Sequence, residues 1–257
     1  MSPSPTGPAA KAGAKTPPGA TPPGTTAKAG TPLGTIVLAT GKGGAGKSTL
    51  TRALAAHWLA GRRRPAVVDA DPQGSIVAFH DPDGPMKAVA VQADPQAETV
   101  ADTIAQLRRA HDPVLVDTAG FRNQTTVMAA VSADLVLIPC KAAAEDVREA
   151  VAMCDLIEEL NGTPERGGRP IRSGIVLSMV VPGTVIARHV RRELEGAGYS
   201  VLRAEVAQRV AYPELSMRGL APSAVDPDGA AARDVAALAR EIMKLSRAAG
   251  PAARAAA

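Results

Sequence analysis

Gly41-Lys42-Gly43-Gly44-Ala45-Gly46-Lys47-Ser48-Thr49 follows the apolar run Thr35-Ile36-Val37-Leu38-Ala39 and leads into the helix-like stretch Leu50 to Ala60. The pattern G-x-x-x-x-G-K-[ST] between a strand and a helix is that of a phosphate-binding loop. Its glycines let successive backbone N–H groups turn toward an anion, and the positive end of the following helix adds to the same field. Lys47 is placed to reach the β and γ oxygens of a nucleoside triphosphate, and Ser48 to ligate Mg²⁺. The loop also carries a second lysine, Lys42.

Working outward, two more apolar runs end in an acid. Ala66-Val67-Val68 leads into Asp69-Ala70-Asp71-Pro72-Gln73-Gly74-Ser75, and Pro113-Val114-Leu115-Val116 into Asp117-Thr118-Ala119-Gly120. Each reads as a buried parallel strand whose carboxyl end opens onto a ligand crevice. An acid there orients Mg²⁺ through water or positions a water for attack on a γ-phosphate, and Asp117 is the natural choice for the first role.

These three motifs, in this order, resemble the deviant Walker A ATPases of the ParA/MinD group. The Asp-Pro-Gln-Gly string leans toward the ParA side. The later stretch Ala204-Glu205-Val206-Ala207-Gln208-Arg209-Val210-Ala211-Tyr212, with Asp226-Pro227-Asp228-Gly229-Ala230-Ala231 after it, is similar to the small ParF-type partition ATPases. The resemblance implies an ATP- and Mg²⁺-dependent hydrolase with residues Gly43, Gly44, Ala45, Gly46, Lys47, Ser48 and Thr49 around the phosphates. It implies that Lys42 crosses to the nucleotide of a second subunit in an ATP-bound sandwich dimer. By the same matching Lys47 acts in its own subunit, Asp71 orients the attacking water, Ser48 and Asp117 serve the metal, and Asp69 couples the metal to the switch.

The fold expected is α/β, a doubly wound and mostly parallel sheet with helices on both faces. Hydrophobic residues make up 46% of the 257-residue chain and aromatic ones only 2%. A core of Ala, Val, Leu and Ile suits parallel strands covered on both sides. Further strands are expected at Ala88 to Val91, Ala133 to Pro139 and Ile171 to Val180, and helices at Ala97 to Ala110, Ala143 to Leu160, Ile186 to Gly196 and Asp228 to Arg247. Leu50, Leu54 and Trp58 form one core-facing stripe of the helix after the phosphate loop.

Residues 1–33 are almost wholly Pro, Gly, Ala, Thr, Ser and Lys, with no acid and no large apolar residue before Leu33 apart from Met1, and cannot bury enough surface to fold alone. Their lysines Lys11, Lys15 and Lys28 carry +3 of the formal +4, leaving +1 for the rest. The expected organisation is this arm, an ATPase domain over 34–247 and a flexible tail over 248–257. Cys140 and Cys154 have no metal-site spacing and read as reduced, buried thiols of a cytoplasmic protein.

For partners, the resemblance implies an ATP-dependent homodimer, nonspecific DNA, and a centromere-binding or cargo adaptor protein that stimulates slow hydrolysis on the nucleoid. DNA would be held by backbone charge alone, with Arg188, Arg191 and Arg192 on one helix and Arg209, Arg218 and Arg233 beyond it as the cations. Arg62-Arg63-Arg64 reads as a solubilising turn at the other end of the sheet. No membrane association is expected, because the final stretch from Ser246 lacks large apolar residues. The low-complexity arm stands where larger partition ATPases carry a helix-turn-helix, so operator binding is not expected either. Two alternatives remain: a positioning ATPase for a protein compartment or chemotaxis cluster, and a P-loop enzyme that couples ATP to metabolic chemistry.

Overall fold

The computed structural model describes residues 31–120, 123–166 and 168–247. The proposed arm up to residue 30 and the tail from 248 lie outside the described residues.

From the first described element the chain runs β1 (Thr35–Thr40), α1 (Lys47–Ala60), β2 (Ala66–Ala70), β3 (Ala90–Ala93), α2 (Val100–Arg108), β4 (Val114–Gly120), α3 (Gln124–Val131), β5 (Leu135–Cys140) and α4 (Ala144–Asn161), strand and helix alternating except between β2 and β3. Then come β6 (Arg172–Val180), α5 (Val185–Gly196), β7 (Val206–Ala207), α6 (Ala211–Ser216), α7 (Pro222–Val225) and α8 (Ala230–Arg247). The described strands form one seven-stranded sheet in the order β3-β2-β4-β1-β5-β6-β7. Every pairing is parallel.

Alternation along β1 explains why both faces are covered. Ile36 and Leu38 point to one side, where Leu50, Leu54 and Trp58 of α1 meet Val235, Leu238 and Ile242 of α8. Val37 and Ala39 point to the other, where Ile104 of α2, Ala129 and Ala130 of α3, Met153 and Ile157 of α4, and Val190 and Leu194 of α5 pack. With a strand period of two and helices on both sides, every residue of β1 is buried. The stripe read from α1 is therefore core.

The lower ends of the strands are pinned by two carboxylates. Asp112 accepts from the backbone N–H groups of Leu33 and Gly34 and pairs with Arg63 at 2.6 Å. Asp134 accepts from Thr35 N–H at 2.8 Å and pairs with Arg108 at 3.0 Å. Of the arginine run in the preceding turn, Arg62 and Arg64 remain exposed.

The expected elements are present with shifted bounds. The edge strand begins two residues later than its apolar pattern suggested, at Ala90, and the helix after it spans Val100–Arg108 rather than 97–110. Both cysteines are free and buried.

Candidate functional site

Central β1 ends at Thr40; from it α1 leads to β2 on one side across one face of the sheet, while α3 carries the chain from β4 to β5 on its other side across the opposite face. A crevice opens above such a switch point. The chain turns there through Gly44 and Gly46, whose φ angles of +80° and +92° are left-handed values that glycine adopts without strain. Gly46 caps α1 with no side-chain hydrogen bond, and the first turn of α1 carries no acid. The N–H groups and positive end of α1 are thus left for an external anion.

Lys47, the first residue of α1, is buried and folds back across the loop. Its ammonium donates to the Thr40 hydroxyl at 3.2 Å and the Lys42 carbonyl at 3.4 Å. Burial lowers its pKa, opposed by the charges of Asp117 and Asp71. A cation so desolvated gains strongly from a phosphate oxygen.

Asp69 and Asp117 stand side by side at the upper ends of β2 and β4, paired in register. Both are buried, at 1% and 0% exposure. Among the described residues, neither oxygen of Asp117, nor Oδ1 of Asp69, has a hydrogen-bond partner. Burial pushes the Asp117 carboxyl up to about 7; the nearby Ser48 hydroxyl and Lys47 ammonium pull down, while Asp69 and Asp71 push up. Buried carboxylate oxygens without partners fit a site that receives a cation. No cluster of three His, Cys, Asp or Glu side chains that could hold a metal alone occurs among the described residues. That donor set suits Mg²⁺, which is characteristically held by one or two protein oxygens together with substrate phosphates and water. Ser48, Asp69 and Asp117 are the residues that would face it.

The second oxygen of Asp69 is already committed. Oδ2 accepts from Ile76 and Val77 N–H at 2.9 and 3.0 Å, which fixes the loop carrying Asp71 against the end of β2. Asp71 itself is half-buried and receives Gln73 N–H at 2.9 Å, and its other oxygen has no partner among the described residues.

A model of the CobQ/CobB/MinD/ParA nucleotide-binding domain matches residues 36–222. The chain belongs to this family. It is 29% identical to protein ParA of Rhizobium radiobacter over 189 residues, covering 72% of this chain and 82% of that protein. Among solved structures, the septum site-determining protein MinD of Pyrococcus horikoshii, complexed with Mg-ADP, superposes with a TM-score of 0.65 at 16% identity, over 83% of this chain and 97% of MinD. Apo McdA from Cyanothece gives 0.61 at 16% identity, over 82% of this chain and 98% of McdA. Structures so distant in sequence establish the α/β P-loop fold.

For a member of the CobQ/CobB/MinD/ParA family, the position of Lys42 is the informative one. Its ammonium lies 3.2 Å from Asp146 in the first turn of α4, and the lysine side chain is 41% exposed. One turn along α4, the Glu149 side chain lies against the backbone of Gly41: a Cβ there would meet the carboxylate oxygen at 1.6 Å. Lys141, just past β5, brings its ammonium within 3.8 Å of where a Cβ of Gly44 would be.

A cavity of about 580 Å³ opens beside the loop, lined by Gly46, Thr49, Met179, Gln208, Val210 and Met217 among others. Its wall is fixed by Ser178, whose hydroxyl donates to the Ala45 carbonyl at 3.0 Å, and by Tyr212, whose hydroxyl donates to the Ala231 carbonyl at 3.2 Å. Met179 follows with a left-handed φ of 52°, a costly conformation for a non-glycine residue. A mostly apolar slot continuous with a phosphate loop suits a nucleotide base. The sequence marked Ala204 to Tyr212 as a family-like stretch without giving it this role, and Met179 had no signal beyond its place in a strand.

Of the arginines expected to meet DNA, Arg188 and Arg192 are exposed on α5 and Arg218 is exposed after α6. Arg191 instead pairs with Glu205 at 2.9 Å and Glu195 at 3.5 Å. Arg209 pairs with Asp234 at 2.8 Å, and Arg233 donates to the Asp228 carbonyl. Among the described residues, Arg188, Arg192 and Arg218 make no ion pair, whereas Arg191 and Arg209 brace the fold and the exposed Arg233 bonds near the start of α8.

Proposed function

We propose that this chain is a ParA-type Mg²⁺-ATPase that forms a sandwich dimer around ATP, binds duplex DNA without sequence preference in that state, and drives plasmid or chromosome partition. One observation carries this reading: two lysines flank one phosphate loop, Lys47 folded into it and Lys42 on its outer shoulder with a side chain 41% exposed. A P-loop hydrolase acting alone needs the first; the second serves a neighbouring nucleotide. A cation delivered across the interface neutralises charge that develops on the transferred phosphoryl group.

Within this reading, Lys47 and the loop hold the phosphates, Ser48 and Asp117 face Mg²⁺, Asp69 ties the metal side to the loop after β2, and Asp71 orients water. The ATPase domain spans 34–247, with the basic arm and the short tail as appendages. Slow hydrolysis, stimulated by a centromere-binding or cargo adaptor protein, returns the dimer to monomers that leave the nucleoid. No helix among the described residues is long and apolar enough to cross a membrane.

The test is sedimentation and duplex-DNA binding of wild type and Asp71→Ala with and without Mg-ATP. Dimer and DNA binding that appear with ATP, and persist in Asp71→Ala while turnover collapses, support the reading. A protein that dimerises yet ignores DNA overturns the DNA-binding part of the reading; the cargo-positioning alternative keeps the same ATPase and differs in its partner, a compartment or receptor protein in place of a centromere-binding one.

A further inference from the structure

Asp146 has an unusual position for a carboxylate. It lies in the first turn of α4 with a side chain only 6% exposed, and its ion-pair partner is the Lys42 ammonium at 3.2 Å. The neighbouring contact strengthens the geometry. Glu149 packs so closely on Gly41 that even its own Cβ lies 2.7 Å from where a Gly41 Cβ would stand, and a Cβ on Gly120 would in turn lie 3.3 Å from the Gly41 carbonyl. The entrance of the phosphate loop is therefore clamped between α4 and the end of β4, and Lys42 leaves that clamp already turned toward its own subunit.

We infer that Asp146 is a positioning residue that holds Lys42 in cis and so sets how readily the monomer gives this lysine to a second subunit. The inference rests on the trans role of Lys42 proposed above. A lysine that must reach a neighbouring phosphate has to leave Asp146, and a buried carboxylate stripped of its partner opposes that step. The positive end of α4, beside the first-turn position of Asp146, offsets part of the opposition and keeps the hold reversible. Empty monomers are thereby kept apart. A triphosphate, with more negative charge than a diphosphate on the facing subunit, is the stronger competitor for the lysine.

Two measurements test this. In nucleotide-free protein, the acylation rate of the Lys42 amine, read by mass spectrometry, is expected to rise several-fold in Asp146→Asn and to stay at the wild-type rate in Asp146→Glu. In sedimentation with Mg-ATP, Asp146→Asn is expected to dimerise at about tenfold lower protein concentration, the scale of the two ion pairs, one in each subunit, that the dimer must release, with monomer affinity for ADP unchanged. Asp146→Ser provides a second neutral side chain should the Asn variant melt early. A Lys42 rate indifferent to the charge at 146 overturns the inference, as does a dimerisation constant unchanged or weakened in both neutral variants. If wild type stays monomeric with Mg-ATP at every concentration, the trans role falls and this inference with it. A normal wild-type dimer beside unaltered Asp146 variants overturns the inference alone.

Discussion

The Arg191 guanidinium lies 2.9 Å from the Glu205 carboxylate and also donates to the Leu202 carbonyl at 2.8 Å, so it fastens α5 to the segment entering β7. Its side chain is only 17% exposed. Arg188 and Arg192 are exposed on the same helix and make no such contact among the described residues. Replacing Arg191 by Ala therefore removes a strut, costing on the order of 1–3 kcal/mol of stability. Chemical denaturation checks this, and an unchanged midpoint would show that the strut is dispensable.

The complementary pair, Arg188→Ala with Arg192→Ala, is expected to leave stability within about 0.5 kcal/mol and to weaken ATP-dependent duplex binding. If both residues of both subunits in the dimer meet phosphates, the slope of log affinity against log salt falls by roughly 4. Fluorescence anisotropy across a salt series reads both quantities. An unaltered slope moves the DNA surface away from α5.

Lys42→Ala removes the cation on the outer shoulder of the loop while Lys47 remains in place, held by Thr40 and the Lys42 carbonyl, which the substitution preserves. Monomer affinity for ADP is expected to change by less than about threefold, whereas the ATP dimer is lost and turnover falls by about 10³, the lower end of the effect of a cation supplied in trans. Light scattering beside a phosphate-release assay separates the two. A normal ATP dimer in this variant defeats the trans role.

Much of this site was legible in the sequence because its parts are contiguous. The loop, Asp69, Asp71 and Asp117 each follow an apolar strand, and parallel pairing brings the strand ends together, with Asp69 and Asp117 in register. Asp146 was not legible, because an acid in the first turn of a helix reads as a partner for the helix end, and only the fold places α4 beside the loop. The pocket wall was hidden for another reason. β7 has two residues and α6 has six, too few for any periodicity to register. The arginines illustrate the limit of spacing: Arg188, Arg191 and Arg192 share a helix, yet the acids that tie Arg191 include one 14 residues away in sequence.

Gly41 offers a direct probe of the clamp. A Cβ there meets Glu149 at 1.6, 2.5 and 2.7 Å, so Gly41→Ala forces the loop away from α4. Overpacking of this kind costs about 1–3 kcal/mol, and a displaced cradle is expected to lose nucleotide affinity by at least about tenfold. Adding Glu149→Ala removes the two contacts made by the carboxylate and leaves the Cβ contact, so affinity is expected to recover in part. Titration with a fluorescent ATP analogue measures each step, and full affinity in Gly41→Ala alone would mean that the loop entrance yields freely.

The two thiols provide a pH-dependent check on the core. Burial, with the Asp146 charge second, pushes Cys140 up to about 12, and burial with Asp155 pushes Cys154 up to about 11, from an ordinary value of 9.0. At pH 8 the thiolate fraction of Cys154 is then on the order of a hundredfold below that of a free thiol, and thiolate is the reacting species. Native labelling by a disulfide reagent is expected to be slow and to rise abruptly on unfolding. The stability consequence has a definite sign. Between about 9 and 11 the unfolded chain loses these protons while the folded chain keeps them, so stability present below 9 declines as pH rises through that window. Cys154→Ala flattens this alkaline slope by removing one of the two groups, and a slope identical to wild type would place the titrating group elsewhere.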